Sequence, residues 1–289
     1  SNQNTIDELI NLSNIIKSKS NKNELYALNI INSDNTSPEV DKKANKILDK
    51  AKIAASANDI DLKTLLRYDL NLAHGITNII KENNITDLIL GLHVKKSISD
   101  TFLGRMTEEI LSKINVSTYI YRPFQPISTI KRHLIIIPEN AEYEIGFSFW
   151  LAKIWNIAVN TGSKIIFYAS EHTIEITKNI CLKHPIEVEF NIFTEWDNFL
   201  ILSRNIKIDD NIIIVMSRKN LLSYQSSMNK IPEYLDKYFK EQSFLLVYPS
   251  QNIQTDREQI DLTNPSLLET IEKIDTIGKT IANIFRKTK

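Results

Sequence analysis

The sequence predicts an α/β protein built on parallel sheets, with one strand–helix unit written twice. Three observations predict it. Apolar runs of strand length alternate with amphipathic stretches of helical period along the 289 residues, the order that yields parallel sheets with right-handed crossovers and helices on both faces. The strands read as continuous apolar runs, as strands buried on both faces do. Finally, each half closes on a tyrosine-containing strand followed by proline, YRP at Tyr121–Pro123 and YP at Tyr248–Pro249.

The second half shows the full pattern. HLIII (His133–Ile137) is a strand ended by Pro138, and Trp150, Leu151, Ile154, Trp155 and Ala158 then recur at helical spacing. Gly162 stops that helix, KIIFYA (Lys164–Ala169) begins the next strand, and another helical stretch precedes EVEFNIF (Glu187–Phe193). A helix is expected around Asn198–Ile206. NIIIVMS (Asn211–Ser217) and FLLVYP (Phe244–Pro249) supply two more strands, separated by the helix IPEYLDKYF.

The first half repeats this order. IDELINLSNIIK (Ile6–Lys17) is an amphipathic helix, ELYALNII (Glu24–Ile31) a strand, Val40–Asn58 a long helix and DLKTLLRY (Asp61–Tyr68) a strand. Ile76–Asn83 is helical, DLILGL (Asp87–Leu92) a strand, Arg105–Lys113 helical, and VSTYIYRP (Val116–Pro123) closes the unit. Between the halves lies QPISTIKR (Gln125–Arg132), a linker of the kind found at domain boundaries. The expected organisation is one unit over residues 1–124, a second over 131–250 and an extension over 251–289. Leu267, Ile271, Ile274, Ile281 and Phe285 of that extension fall on one helical face, which packs on the body or binds a partner.

One element has no counterpart. The second half opens on the strand HLIII, whereas the first opens directly on its helix. Loss of an inner strand would expose both of its neighbours, so the natural chain is expected to carry that strand upstream of Ser1. The two closing strands, VSTYIYRP and SFLLVYPS, are expected to meet and so cover edges that otherwise invite aggregation.

Composition narrows the function. Lysine plus arginine equals aspartate plus glutamate, 35 each, which argues against a protein that neutralises nucleic-acid phosphates. A single cysteine, Cys181, rules out an internal disulfide and a cysteine-based zinc site; without a local His or Asp partner it reads as structural. No apolar run approaches the ~18 residues of a membrane-spanning helix. The histidines at 74, 93, 133, 172 and 184 have no metal-ligand spacing, and neither a GxSxG elbow nor a Walker loop occurs. An enzyme is not expected, nor a bound metal.

One stretch carries ligand chemistry. In ILGLHVKKSISDTFLGRMTEE (Ile89–Glu109) a strand ends at Gly91, and Gly104 precedes a helix start at Arg105, Met106 and Thr107. A glycine after a strand lets backbone approach a ribose or phosphate, and a second one at a helix start presents N–H groups to an anion. His93 lies in this loop, touching a ligand or without a role; Asp69 and Asn71 of RYDLNLAHGI line the same cleft or, more plainly, cap a helix.

The stretch DLILGLHVKKSISDTFLGRMTEEILSKINVSTYIYRP resembles the C-terminal half of a universal stress protein domain, and the element order resembles that family over most of the chain. The resemblance implies two tandem UspA-like domains of adenine nucleotide alpha hydrolase-like fold, the first lacking its first strand, and it implies that His74 sits in a loop facing the same cleft. ATP-binding members carry G-x2-G-x9-G-(S/T). Gly91 and Gly104 fill the first and third positions, Val94 replaces the second glycine, Arg105 replaces the hydroxyl residue, and Thr107 offers a hydroxyl two residues on. A β-branched residue disfavours positive φ, so Val94 is expected to redirect the loop and cover the pocket. Arg105, Lys95 and Lys96 either pair with phosphates or form a solvated loop. The family's adenine-side aspartate ends its first strand; the equivalent stretch in the second half reads IIIPENA, and the matching loop IIIVMSRKNLLSYQSSMNKIPEYL contains no glycine. ATP or another adenine nucleotide is thus a possible ligand of the first half only.

The aromatic phrases FSFWLAKIW and FTEWDNFLILSR read as core with room for an interface. With YALNIIN, RYDLN and TIKR they are similar to the cytoplasmic C-terminal tails of bacterial cation/proton antiporters. That resemblance implies a non-enzymatic regulatory domain partnered by the transmembrane antiporter domain of the same chain at the inner membrane, and a homodimer. The alternative is a free-standing tandem stress protein that binds ATP through Gly91, Gly104 and Thr107.

Overall fold

The computed structural model describes residues 3–17, 23–92, 107–181, 186–219 and 221–251. The first half contains α1 (Gln3–Ile16), β1 (Leu25–Asn32), α2 (Pro38–Ser56), β2 (Leu62–Asp69), α3 (Leu72–Glu82), β3 (Asp87–Gly91), α4 (Thr107–Lys113) and β4 (Ser117–Arg122). The second contains β5 (Arg132–Ile136), α5 (Phe147–Thr161), β6 (Lys164–Ala169), α6 (Glu171–Cys181), β7 (Val188–Ile192), β8 (Asp210–Val215), α7 (Ile231–Tyr238) and β9 (Ser243–Tyr248). The C-terminal extension and its apolar helical face lie outside the described residues.

Local chemistry explains several boundaries. Ser37 caps α2 by accepting from the Val40 N–H, with Pro38 at the first helical position. Asn71 caps α3, which starts at Leu72, four residues ahead of the predicted Ile76; the Asn71 Oδ1 accepts from the N–H groups of Ala73 (2.8 Å) and His74 (3.1 Å). Gly162 ends α5 in the left-handed conformation, φ 67°. The helix expected at Asn198–Ile206 is instead a 3-10 stretch over Trp196–Arg204, kinked at Asn198. Its buried residues are Trp196, Phe199 and Leu202, spaced by three, and three residues per turn puts all of them on one face.

Seven strands form one sheet in the order β3-β4-β9-β8-β5-β6-β7, and β1 pairs with β2 in a separate two-stranded sheet. All pairings are parallel except one: β4 meets β9 antiparallel, with Ile120 opposite Leu246 and Tyr119 opposite Val247. The two closing strands therefore meet as expected. Two apolar layers sandwich the large sheet. One gathers Trp150, Ile154 and Phe167 with Leu12 and Ile16 of α1. The other gathers Trp196, Phe199, Leu235 and Phe239 under β5, β8 and β9. The tryptophan- and phenylalanine-rich phrases are accordingly core. Cys181 is half-buried, and burial pushes its thiol up to about 12, in keeping with a structural residue.

The first half is interrupted where it lacks a counterpart of HLIII. Among the described residues β1 pairs only with β2, and β3 only with β4. β1 is half-buried from Leu25 to Ile30 and β3 at every residue, whereas β4, β8 and β9 are buried throughout. Both neighbours are thus partly exposed, as the sequence implied.

His133 shows how the second half uses its central strand. Its ring is fully buried; Nδ1 lies 3.2 Å from the Asn211 amide nitrogen and Nε2 3.4 Å from Thr161 Oγ1. An amide N–H donating to Nδ1 makes Nε2–H the donor to the threonine, the neutral tautomer. Burial depresses this histidine to about 4, so the unfolded chain binds the proton first as pH falls. The stability that neutral burial provides is complete above ~6.5 and lost as pH drops through about 4. Urea unfolding should show a loss of up to ~3 kcal/mol over that window, and a His133→Gln variant should lack that part of the pH dependence.

Candidate functional site

Ligands of open α/β sheets bind beyond the carboxyl ends of the strands, where strand order turns. In the first half those ends are Asn32, Asp69, Gly91 and Arg122. Asp69 accepts from the Asn71 N–H at 3.2 Å, and both its oxygens lie 3.2 Å from His74 Nδ1. The Asn71 N–H, followed by His74, holds the Asp69 carboxyl below its usual range. Asn71 also donates through Nδ2 to Glu109 Oε1 (3.0 Å), which Lys113 approaches to 2.7 Å; Lys113, followed by Asn71, keeps Glu109 below the usual carboxylate range. Asp69, Asn71, His74 and Glu109 form one network that ties the start of α3 to α4, so the capping reading of Asn71 describes what its carbonyl does.

Of the glycine-loop residues, Gly91 and Thr107 are described; His93, Val94, Gly104 and Arg105, with Lys95 and Lys96, lie outside the described residues. Thr107 opens α4 and is buried. Glu108 and Glu109 occupy the first turn of α4 and already complement its dipole, so an arriving anion would meet two carboxylates. Gly91 is tightly packed: a Cβ there would come within 2.5 Å of Leu9 Cδ1 of α1. Lack of a side chain at Gly91 therefore serves helix packing, whatever else it serves.

The matching end of the second half is filled by its own side chains. Glu144, beyond β5, is buried, and its Oε1 accepts from the Ser223 N–H (3.0 Å), Ser217 Oγ (3.2 Å) and Ser223 Oγ. The loop after β8, where the first half has its glycine loop, thus directs its hydroxyl and N–H donors at a carboxylate of the same chain. Burial raises the Glu144 carboxyl, an effect the serine hydrogen bonds oppose. Glu142 is likewise buried and accepts from Thr173 Oγ1 at 2.9 Å.

Two arginines absent from the sequence-based expectations join the halves. Arg218, in the loop after β8, donates through Nη1 to the carbonyls of Leu111 (2.6 Å) and Ile114 and through Nη2 to Val116 (3.1 Å). It therefore closes the C-terminal end of α4, where a cation is favoured. Arg122, at the end of β4, donates to the carbonyls of Phe239 and Gln242 (3.3 Å) beyond α7, and its guanidinium carbon lies 4.4 Å from the centroid of the Phe244 ring. Each half thus sends one arginine to the end of the other half's last helix. Burial lowers both arginines to about 10. The available signal was a lone arginine in or just after a strand-sized apolar run, as in YIYRP and VMSRK.

No protein-family model matches the chain, and no curated protein matches it in sequence. Solved structures do match. A universal stress protein from Archaeoglobus fulgidus superposes with a TM-score of 0.57 at 15% identity, covering 86% of this chain and 93% of that one. The cytoplasmic domain of a prokaryotic cation chloride cotransporter superposes with a TM-score of 0.55 at 11% identity, over 86% and 93% of the two chains. A functionally unknown protein from Pseudomonas aeruginosa follows at 0.51 and 9% identity, over 89% and 87%. The fold is the UspA-like one.

Arg218→Ala should cost ~2–3 kcal/mol in urea unfolding, since three carbonyls lose a charged donor, and Arg218→Lys should recover only part of it. Glu144 makes a separable prediction. A carboxyl raised above 4.5 in the folded state contributes most below that value and loses that contribution as pH climbs through the raised value. The stability of Glu144→Gln relative to the native sequence should therefore rise with pH from 4.5 upward.

Proposed function

We propose that this chain is a non-enzymatic regulatory module on the cytoplasmic side of a membrane cation transporter, of the cation/proton antiporter kind. The carrying observation is that the same fold, over 93% of its length, serves as the cytoplasmic domain of a cation chloride cotransporter. The antiporter-like phrases at Phe147–Trp155 and Phe193–Arg204 support the finer reading. No described helix is long and apolar enough to cross a membrane, so transport itself would belong to another domain. The polar groups at the strand ends cap helices, pair with one another or bridge the halves. Among the described residues no group of three or more His, Cys, Asp or Glu could hold a metal ion.

Regulation requires that a ligand or partner favour one of two states of the module. Such a partner would be the transmembrane domain of the same chain, and a nucleotide at the Gly91 end is the second reading, favoured by the glycine and the buried threonine retained there. Two measurements separate them. Fused to its membrane domain, the module should change cation flux severalfold when it is deleted; unchanged flux overturns the proposal. In a melting titration, a ligand at ~100 times its Kd adds about 2.7 kcal/mol. The expected result with millimolar ATP or AMP is no shift, and a shift abolished by Gly104→Val would instead establish the free-standing nucleotide binder.

A further inference from the structure

The antiparallel seam sets the end of β4 beside the starts of β9, β8, β5 and β6, five neighbours in the large sheet. Neighbouring strands lie ~5 Å apart, so these ends form a row about 20 Å long. Large apolar side chains are exposed along it: Phe124 after β4, Tyr238 closing α7 ahead of β9, Ile208 ahead of β8, and Val159 in the last turn of α5 ahead of β6. Phe124 and Tyr238 flank one junction. The Phe124 N–H donates to Ser243 Oγ (2.9 Å) at the start of β9, and Arg122 bonds the Phe239 carbonyl.

Cations stand among these side chains. Arg204, Lys207, Lys237 and Lys240 are exposed. The carboxylates of the same rim are mostly engaged: Lys131 holds Asp209 at 3.4 Å, Arg132 holds Asp210 at 2.6 Å, and Lys164 holds Glu187 and Glu189, each at 3.1 Å. Among the described residues none of the four cations has a carboxylate partner, and the exposed carboxylate beside them is Glu241. The row is therefore positive.

We propose that this row, from the end of β4 to the start of β6, is a docking surface for a bilayer that bears anionic phospholipid. Its charge complements such a surface. Phenylalanine and tyrosine set among cations suit the headgroup level, where aromatic rings bury their apolar part and keep their polar tip wet. The choice of lipid over acidic protein rests on the reading of the chain as a membrane-side module, whose leaflet is negatively charged. The row stops at β3, where Glu108 and Glu109 open α4. Docked on this rim, the molecule turns its Glu144 and Arg218 ends away from the bilayer.

The test mixes the full chain with vesicles of phosphatidylcholine, alone or with an equal part of phosphatidylglycerol, and reads co-sedimentation. The expected result is binding to the anionic vesicles only, lost at about 0.5 M salt. Lys207→Gln with Lys240→Gln should weaken partitioning about 30-fold, and Phe124→Ser with Tyr238→Ser about 10-fold or more. The same charge change on α2, Lys42→Gln with Lys46→Gln, should weaken it less than about twofold, since those lysines lie off the row. Melting curves check the fold of each variant, and the glutamine pair decides if the serine pair does not fold. No binding to anionic vesicles, or an equal loss from the α2 pair, overturns the proposal. Poly-glutamate bound as tightly as the vesicles overturns lipid in favour of acidic protein, and a lipid-free dimer that Tyr238→Ser dissolves overturns it in favour of a second copy. The vesicles hold no transporter, so failure here leaves the flux result standing, and unchanged flux leaves the vesicle result standing.

Discussion

The antiparallel contact between β4 and β9 is the constraint on which the architecture depends. Every other pairing is parallel and lies within one half. Along this seam Tyr119, Ile120 and Tyr121 face Val247, Leu246 and Leu245, all of them buried. A closing strand standing alone would be an exposed apolar edge, and β9, running antiparallel to β4, covers it from Thr118 to Arg122. The joining is reinforced at the strand ends. Arg122 and Arg218 each leave water to bond carbonyls of the opposite half, a costly placement that those carbonyls compensate.

The halves share a plan and differ in how they complete it. In the second, β5 lies in mid-sheet and supplies residues to both apolar layers, so its core is continuous across five strands. In the first, the apolar residues divide into one cluster under α3 and α4 and another under α1 and α2. Helix α1 then carries an unusual share of the connection. It places Leu9 over Gly91, receives the Ile127 N–H on Glu8 at 2.8 Å, and ends on carbonyls capped by Asn156 and Asn160 of the other half.

Much of this was legible in the sequence, for physical reasons. Strands buried on both faces announce themselves as apolar runs, and the repeated tyrosine–proline ending marked the two strands that meet. The missing counterpart of HLIII was legible by comparing the halves, and it corresponds to the interrupted sheet. The helix expected at Asn198–Ile206 is a 3-10 stretch; a spacing of three, as between Phe199 and Leu202, also falls on one side of an α-helix and does not tell the two apart. The bridging arginines and the buried Glu144 were not legible, since a charge beside an apolar run normally points to water. Only the crossing of two distant segments, 102 to 120 residues apart, turns Arg122 and Arg218 inward.

Reversal at the seam also fixes where events in the two halves take place. The end of β3 at Gly91 opens at one rim of the seven-stranded sheet, and the ends of β5 and β8 that lead to Glu144 and Arg218 open at the opposite rim. Helix α4 runs between the rims: Thr107 begins it beside the first, and its last carbonyls hold Arg218 beside the second. It has only seven residues and little room to bend. A displacement at its threonine end would reach the Arg218 loop as a lever stroke, giving the molecule a mechanical route from one side to the other.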